Sequence, residues 1–285
     1  MAVSVRMRQL VAYLGVLRRS RSASIGGVMF VLVVFIAIGA AYLAPHDPSV
    51  LDIPNRVAPP SGDHLFGTDR YGRDVFSLVL HGARISAVVG ISVVALTAIG
   101  GTVLGLLAGY YSKWDEVIMR VMDGFMAFPS ILLALAIMAA LGPRISNVVI
   151  ALSIVYTPTV ARVVRSVVLS IRELEYVDAA RSLGLSDARV LLRHVLPNCM
   201  APMMVQLTFI FALTVLGEAS LSFLGVGAPP EVPSWGNILS EGRRLMHQAP
   251  WIAVFPGLAI MFTVLSLNLL GDGLRDILDP RLRGT

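Results

Sequence analysis

Apolar residues in this chain fall in unbroken runs rather than in alternating or heptad patterns. Six of these runs are long enough for a bilayer-crossing helix: 25–44, 85–111, 118–141, 145–161 with an extension to 171, 199–217 and 249–271. The first two carry no charge, and the third has Arg120 and Asp123 near its start. The pattern predicts an all-α, polytopic membrane protein with six transmembrane helices. Its expected organisation is a cytoplasmic segment 1–24, a first transmembrane helix 25–44, an external loop 45–84, a five-helix core 85–271 with a cytoplasmic loop at 172–197, and a cytoplasmic tail 272–285.

Two polar stretches interrupt the apolar pattern. In the first, Pro45, Pro48, Pro54, Pro59 and Pro60 predict extended loop. From Asp74 onward, Val75, Phe76, Val79 and Leu80 fall on one helical face, and Asp74, Ser77 and His81 on the other. That predicts an amphipathic helix lying in the membrane interface and leading into the second span. In the second stretch, Leu174, Val177, Ala180 and Leu183 recur at threefold spacing over 172–183. Gly184 predicts a left-handed helix stop, Ser186 a cap for a second short helix, and Pro197 the end of that helix.

Composition supports the membrane reading: the 285 residues are 56% hydrophobic and 14% charged, with mean hydropathy +0.76. Net charge is +5, which in such a chain speaks for orientation and lipid contact rather than nucleic-acid binding. With the N terminus inside, inner segments hold 16 of the 23 Lys and Arg residues and outer ones 7. The positive-inside rule then places both termini and the 172–197 loop in the cytoplasm. Basic residues up to Arg21 and small residues at 40–44 also fit a secretory signal, but about 20 uncharged residues is long for its apolar region and favours an uncleaved span.

Several chemistries are excluded or unsupported. The single Cys199 allows no intrachain disulfide and no thiolate cluster, and the five histidines are scattered without metal-motif spacing, so no metal site is expected. Lys113 is the only lysine, so no phosphate-binding GxxxxGK[ST] loop exists and ATP chemistry belongs to another chain. No catalytic group stands out. Gly101, Gly105 and Gly109 predict close helix packing within the chain, and Pro129, Pro158, Pro202 and Pro256 predict kinks in spans three to six. Arg120 and Asp123 read as a pair one turn apart, Arg162 and Arg165 as snorkelling boundary residues. Glu218, at the outer end of span five, is a candidate for the translocation path.

The letters of the second polar stretch carry a resemblance. Asp178-Ala179-Ala180, then Gly184 after three residues, then Leu196-Pro197 after eleven more, resembles the EAA loop of bacterial ABC importer permeases. Asp178 replaces the usual Glu and keeps its charge; His194 replaces a usual aliphatic residue. FGTDRYGRD at 66–74 reads on its own as a turn-rich structural loop. Together with PSWGNI at 233–238, FPG at 255–257, NLLGDGLRD at 268–276 and LDPRL at 278–282, it resembles the C-type permease subunit of the dipeptide/oligopeptide/nickel subgroup.

The resemblance implies a type I ABC importer permease-like bundle in the bacterial cytoplasmic membrane. It implies pairing with a second homologous permease, ATP-binding subunits that carry ATP and Mg, and an extracytoplasmic substrate-binding protein touching loops such as 225–248. Carried over by motif, the ATPase-coupling residues are Tyr176, Asp178, Ala179, Ala180, Arg181, Leu183, Gly184, Leu196 and Pro197. The expected function is transmembrane passage of di- and oligopeptides. The alternatives are a permease for nickel or glutathione-like solutes, or a self-contained secondary transporter, against which the scarcity of deep carboxylates argues.

Overall fold

A computed structural model describes residues 20–278 of the protein. The expectations for residues 1–19 and 279–285, including most of the cytoplasmic N-terminal segment and the end of the tail, lie outside the described residues. Among the described residues the chain is helical apart from loops and one isolated bridge, Thr68 to Asp74.

The elements are α1 (Arg21–Leu43), α2 (Val75–Tyr110), α3 (Ser112–Met126), α4 (Ser130–Leu141), α5 (Ile145–Ile171), α6 (Glu175–Ser182), α7 (Asp187–Phe223), α8 (Trp235–Arg244) and α9 (Trp251–Leu278). Of these, α1, α2, α5, α7 and α9 are each long and apolar enough to cross a membrane. Their apolar residues are not confined to one face. On α1, Val28, Val31, Phe35 and Ile38 point outward, as expected of a helix whose solvent is lipid.

The third predicted span is not one straight helix. α3 and α4 meet at a 91° bend across Ala127–Pro129. Pro129 has no N–H to give the preceding turn, and it drives Phe128 away from helical geometry. The bent pair must nevertheless carry the chain from one end of the bundle to the other. Gly101, Gly105 and Gly109 on α2 meet Val160, Val164 and Val168 on α5 in the same order, so the two helices run parallel. A Cβ on each glycine would lie 2.5, 2.7 and 2.6 Å from the facing valine Cβ, closer than real side chains come. Two parallel neighbours require the chain between them to return, which only α3 and α4 can do. The glycine run thus packs within this chain.

The remaining helices alternate in direction. α7 runs against α5, with the Tyr156 hydroxyl donating to the Leu213 carbonyl at 3.1 Å and Gly217 against Leu152. α9 runs back along α7 and along α1, where Gly26 sits on the backbone of Ser266 and Leu270, and Gly273 on Ala23. The result is six crossings, with the α6 loop at one end and α8 at the other.

At the α8 end, the first polar stretch differs from expectation. The helix beginning at Val75 does not lie as a separate interfacial element: it is the first part of the 36-residue α2. Its supposedly solvent-facing side is buried, with Asp74 and Ser77 enclosed by protein. Asp74 caps α2 by accepting from the Ser77 N–H and hydroxyl, each at 2.8 Å. At about 1.5 Å per residue, α2 is some 54 Å long, well beyond the ~30 Å hydrocarbon layer, and its start stands in a cap at the α8 end of the bundle.

That cap joins three of the separated sequence blocks. The Trp235 indole donates to the Val79 carbonyl at 2.9 Å, and the Trp251 indole to the Thr68 carbonyl at 3.2 Å. Phe66 stacks on Phe255 with centroids 3.7 Å apart. Arg73 pairs with Asp69 at 2.5 Å and with Glu241 on α8 at 3.2 Å. Burial and the nearby Asp69 charge push the Glu241 carboxyl up, against the pull of Arg73 and Arg70. The 66–74 stretch is therefore the structural loop that its turn residues predict.

Candidate partner-docking site at the α6 end

The site is a helix, a tight turn and a second helix that stand out from the bundle. The first helix does not start at Arg172: α5 ends at Ile171, a turn spans 172–174, and α6 runs Glu175–Ser182. It closes in a Schellman pair, with the Leu185 N–H to the Ala180 carbonyl at 3.3 Å and the Gly184 N–H to the Arg181 carbonyl at 2.9 Å. Gly184 takes φ +77, the left-handed region where a Cβ is disfavoured, although open space surrounds it. Ser186 occupies the cap position of α7 with extended backbone, but its side chain makes no capping bond.

Pro197 does not end the second helix. α7 continues to Phe223 through a wide turn at Leu191–Val195, where the Leu196 N–H reaches back to the Leu191 carbonyl. The wider π-type turn absorbs one extra residue and lets the helix accommodate a proline that cannot donate. The loop and the membrane helix are consequently one continuous rod from Asp187 onward.

The loop faces the bundle through a narrow apolar seam. Val177, Ala180, Val190, Leu191 and Val195 are buried in the same cluster as Val164, Val168 and Ile171 of α5. Polar bonds add a joint: the Tyr110 hydroxyl donates to Asp187 at 2.9 Å and the Tyr111 hydroxyl to its other oxygen at 3.3 Å. Arg181 donates to the Tyr110 oxygen at 3.3 Å with its guanidinium 5.0 Å from that ring, and the bond holds the Arg181 pKa up. Arg172 donates to the Gly109 carbonyl at 3.0 Å. Asp187 thus fastens the start of α7 to the end of α2.

The sequence-predicted residues divide between two sides. Tyr176, Asp178, Ala179, Arg181, Leu183 and Gly184 are exposed, Leu183 at 81%. Ala180, expected beside Ala179 on the docking face, is instead 7% exposed and belongs to the internal seam. Pro197 is exposed and Leu196 half-buried. His194 is half-buried, with its ring 6.3 Å from that of Tyr176. Sequence reasoning misses Tyr110, Tyr111 and Asp187 as a group because 76 residues or more separate the tyrosines from the carboxylate; only Asp187 at a helix start gives any signal.

Other ionic expectations change partners. Arg120 pairs with Glu116 at 2.6 Å, not with Asp123; Asp123 pairs with Arg162 of α5 at 2.7 Å. Arg165 grips both Asp115 oxygens, at 2.5 and 2.6 Å. Arg162 and Arg165 therefore join α3 to α5 rather than only reaching for headgroups. Glu218 is 1% exposed within the subunit and accepts from the Ser222 hydroxyl at 2.8 Å, so it faces packed side chains of its own chain.

Comparison with known proteins matches this architecture. Residues 101–284 match the family described as binding-protein-dependent transport system inner membrane component. The chain belongs to that family. Residues 14–60 of the permease also match the N-terminal TM domain of oligopeptide transport permease C. The permease is 51% identical over 267 residues to a Brucella suis protein named as a peptide transport system permease, covering 94% of this chain and 90% of the relative. It is 45% identical to the dipeptide transport system permease protein DppC of Alkalihalophilus pseudofirmus, covering 94% and 88%. It is 47% identical to the glutathione transport system permease protein GsiD of Escherichia coli, covering 94% and 89%.

Proposed function

We propose that this permease is the transmembrane subunit of an ATP-driven importer of peptides, paired with a second homologous permease. ATP-binding subunits dock on the 175–185 face, an extracytoplasmic binding protein delivers cargo to the α8 end, and both termini and the α6 end lie in the cytoplasm of a bacterial cell. The permease catalyses nothing; ATP and Mg sit on the ATPase chains. The observation that carries this reading is the α6 loop. It combines an exposed face of Tyr176, Asp178, Ala179, Arg181 and Leu183 with a continuous helix that starts at Asp187 and crosses the bundle. A push on that face is carried along α7 as a rigid element, and the Asp187 joint passes it to α2. The names of relatives, which include peptide, dipeptide and glutathione transport, support a peptide-like cargo.

The test is reconstitution. The chain alone in vesicles is expected to show neither ATP hydrolysis nor peptide uptake, and adding the second permease, the ATPase subunits and the binding protein restores both. Uptake by the chain alone would replace this reading with a self-contained transporter. Reporters fused after Thr285 and inserted near Asp187 should report cytoplasm, and one near Asn55 the outside.

A further inference from the structure

Two histidines that look scattered in sequence come together at the α8 end. His46 follows α1, His64 sits in the loop, and Asp74 caps α2. His64 Nδ1 lies 3.0 Å from Asp74 Oδ1, and His46 Nδ1 lies 3.9 Å from Asp74 Oδ2. One donor atom from each residue falls within 4.8 Å of the others. The two imidazole rings face each other at 4.8 Å between centroids, tilted by 37°. We propose that His46, His64 and Asp74 form a binding site for one divalent transition-metal ion, with zinc as the representative ion, which clasps the loop after α1 to the start of α2.

The buried carboxylate carries the most weight. The Asp74 side chain is 1% exposed, and a buried charge is ordinarily paired or bound to a cation. No lysine or arginine pairs with it among the described residues: adjacent Arg73 is committed to Asp69 and Glu241. Its Oδ2 is oriented by the Ser77 N–H and hydroxyl, and Ser77 Oγ in turn accepts the His46 N–H at 3.2 Å. Such hydrogen bonds hold a ligand in place behind a metal. Oδ1 has the His64 imidazole as its partner among the described residues, and His46 approaches on the Oδ2 side.

Donor chemistry selects the ion class. Two imidazole nitrogens and one carboxylate suit zinc, nickel or cobalt, whereas magnesium and calcium prefer oxygen-only shells. Ligands about 2.1 Å from one ion sit roughly 3–3.5 Å from one another, so the 3.0 Å pair already fits and His46 has to move by about an ångström. His46 is 44% exposed, which leaves it free to do so. Three protein ligands leave a fourth position for water. Metal binding of this kind is independent of the transport reading.

The test uses the full chain in detergent with a histidine-free tag, stripped with a chelator and dialysed against zinc, nickel or magnesium. Elemental analysis should find one zinc or nickel per chain and no stoichiometric magnesium. Zinc should raise the thermal midpoint of the wild type. His46→Ala and His64→Ala should each weaken zinc binding at least tenfold and abolish the midpoint rise. His46→Ala is the decisive variant, because its exposed side chain can be removed without emptying the core; its metal-free midpoint should match that of the stripped wild type. Absence of stoichiometric zinc or nickel in the wild type, or undiminished binding by His46→Ala, overturns the three-ligand site.

Discussion

The two ends of the bundle differ in how much surface they leave uncovered. At the α8 end nearly every polar side chain that the signature blocks supply bonds within the chain: Trp235 to Val79, Trp251 to Thr68, Arg73 to Asp69 and Glu241, and Asn237 to three loop carbonyls. At the α6 end Tyr176, Asp178, Ala179 and Leu183 are exposed, with Asp178 meeting Arg181 and Tyr176 meeting Asn198, and the loop is held by one valine-rich seam, the Asp187 joint and the bond from Arg172 to Gly109. A self-satisfied cap resists change; an exposed face with apolar residues on a short helix is the kind of surface a partner covers. Mutations should therefore separate the ends, reducing the amount of folded protein at one and association at the other.

The largest effect is expected at the cap. Trp235 is buried, its ring lies against Gly82, and its indole bond crosses from α8 to α2. Trp235→Ala should cost about 3–5 kcal/mol through the cavity and the orphaned Val79 carbonyl. The measurement is the thermal midpoint in detergent together with the amount of protein in the membrane; both should fall. An unchanged midpoint would mean that the cap is not a cooperative part of the fold.

Gly184→Val comes next and should invert that outcome. A β-branched residue at φ +77 costs about 1–2 kcal/mol or more, but no atom stands where its Cβ would go. The strain stays within the Schellman turn. Membrane levels should remain near wild type, while co-purification of the ATPase subunits and peptide uptake fall about tenfold or more, since ~1.4 kcal/mol is tenfold in affinity. Loss of the protein from the membrane instead would make the turn part of the global fold and erase the contrast between the ends.

These two sites also show what is legible in the sequence. Gly184 is readable because a left-handed stop is a local property of a few neighbouring residues, and the long apolar runs are readable for the same reason. The break in the third crossing is written in Pro129, but apolar residues continue on both sides, and hydropathy summed over a window does not register a 91° bend. Pro197 misleads in the other direction: a π-type turn lets α7 run through it, and nothing local in 191–195 announces that turn. Contacts between distant segments are the least legible. Helical spacing assigns Asp123 to Arg120, yet its partner is Arg162, which only the α3–α5 packing supplies. The polar side of the Asp74 turn looks solvated because the residues that meet it, His46 after α1 and His64 in the loop, lie elsewhere in the chain.

A smaller effect is expected from Leu183→Asp, which probes the exposed face without touching the seam. Leu183 is 81% exposed and the substitution leaves the Schellman bonds intact, so the thermal midpoint should move little, within about 0.5 kcal/mol as is usual for surface changes. ATPase association should weaken several-fold. Ala180→Trp, one turn earlier, should instead lower the midpoint, because Ala180 packs inside. Equal behaviour of the two variants would remove the division of this loop into an inward and an outward side.

The smallest effect concerns the joint itself. Tyr110→Phe removes one hydroxyl from Asp187, and Tyr111→Phe removes the other. A single hydrogen bond is worth about 0.5–1.5 kcal/mol net. Tyr110→Phe should cost more than Tyr111→Phe, because the Tyr110 bond is shorter, at 2.9 against 3.3 Å, and because the same oxygen receives Arg181. The Tyr110→Phe substitution keeps an aromatic ring beneath the guanidinium, so part of the Arg181 contact survives. Global unfolding hardly senses such a local change; amide hydrogen exchange over 177–190 does, because it reports openings of the loop alone. Tyr110→Phe should lower protection there by about three- to tenfold, and Tyr111→Phe by less. Both hydroxyls hold one carboxylate, so each single variant leaves Asp187 a remaining donor, and the double variant leaves it neither. The double loss should therefore exceed the sum of the singles, the mark of groups that share a partner. Strict additivity would mean that the two hydroxyls hold Asp187 independently, and unchanged protection in the double variant would mean that Asp187 does not link the α6 loop to α2.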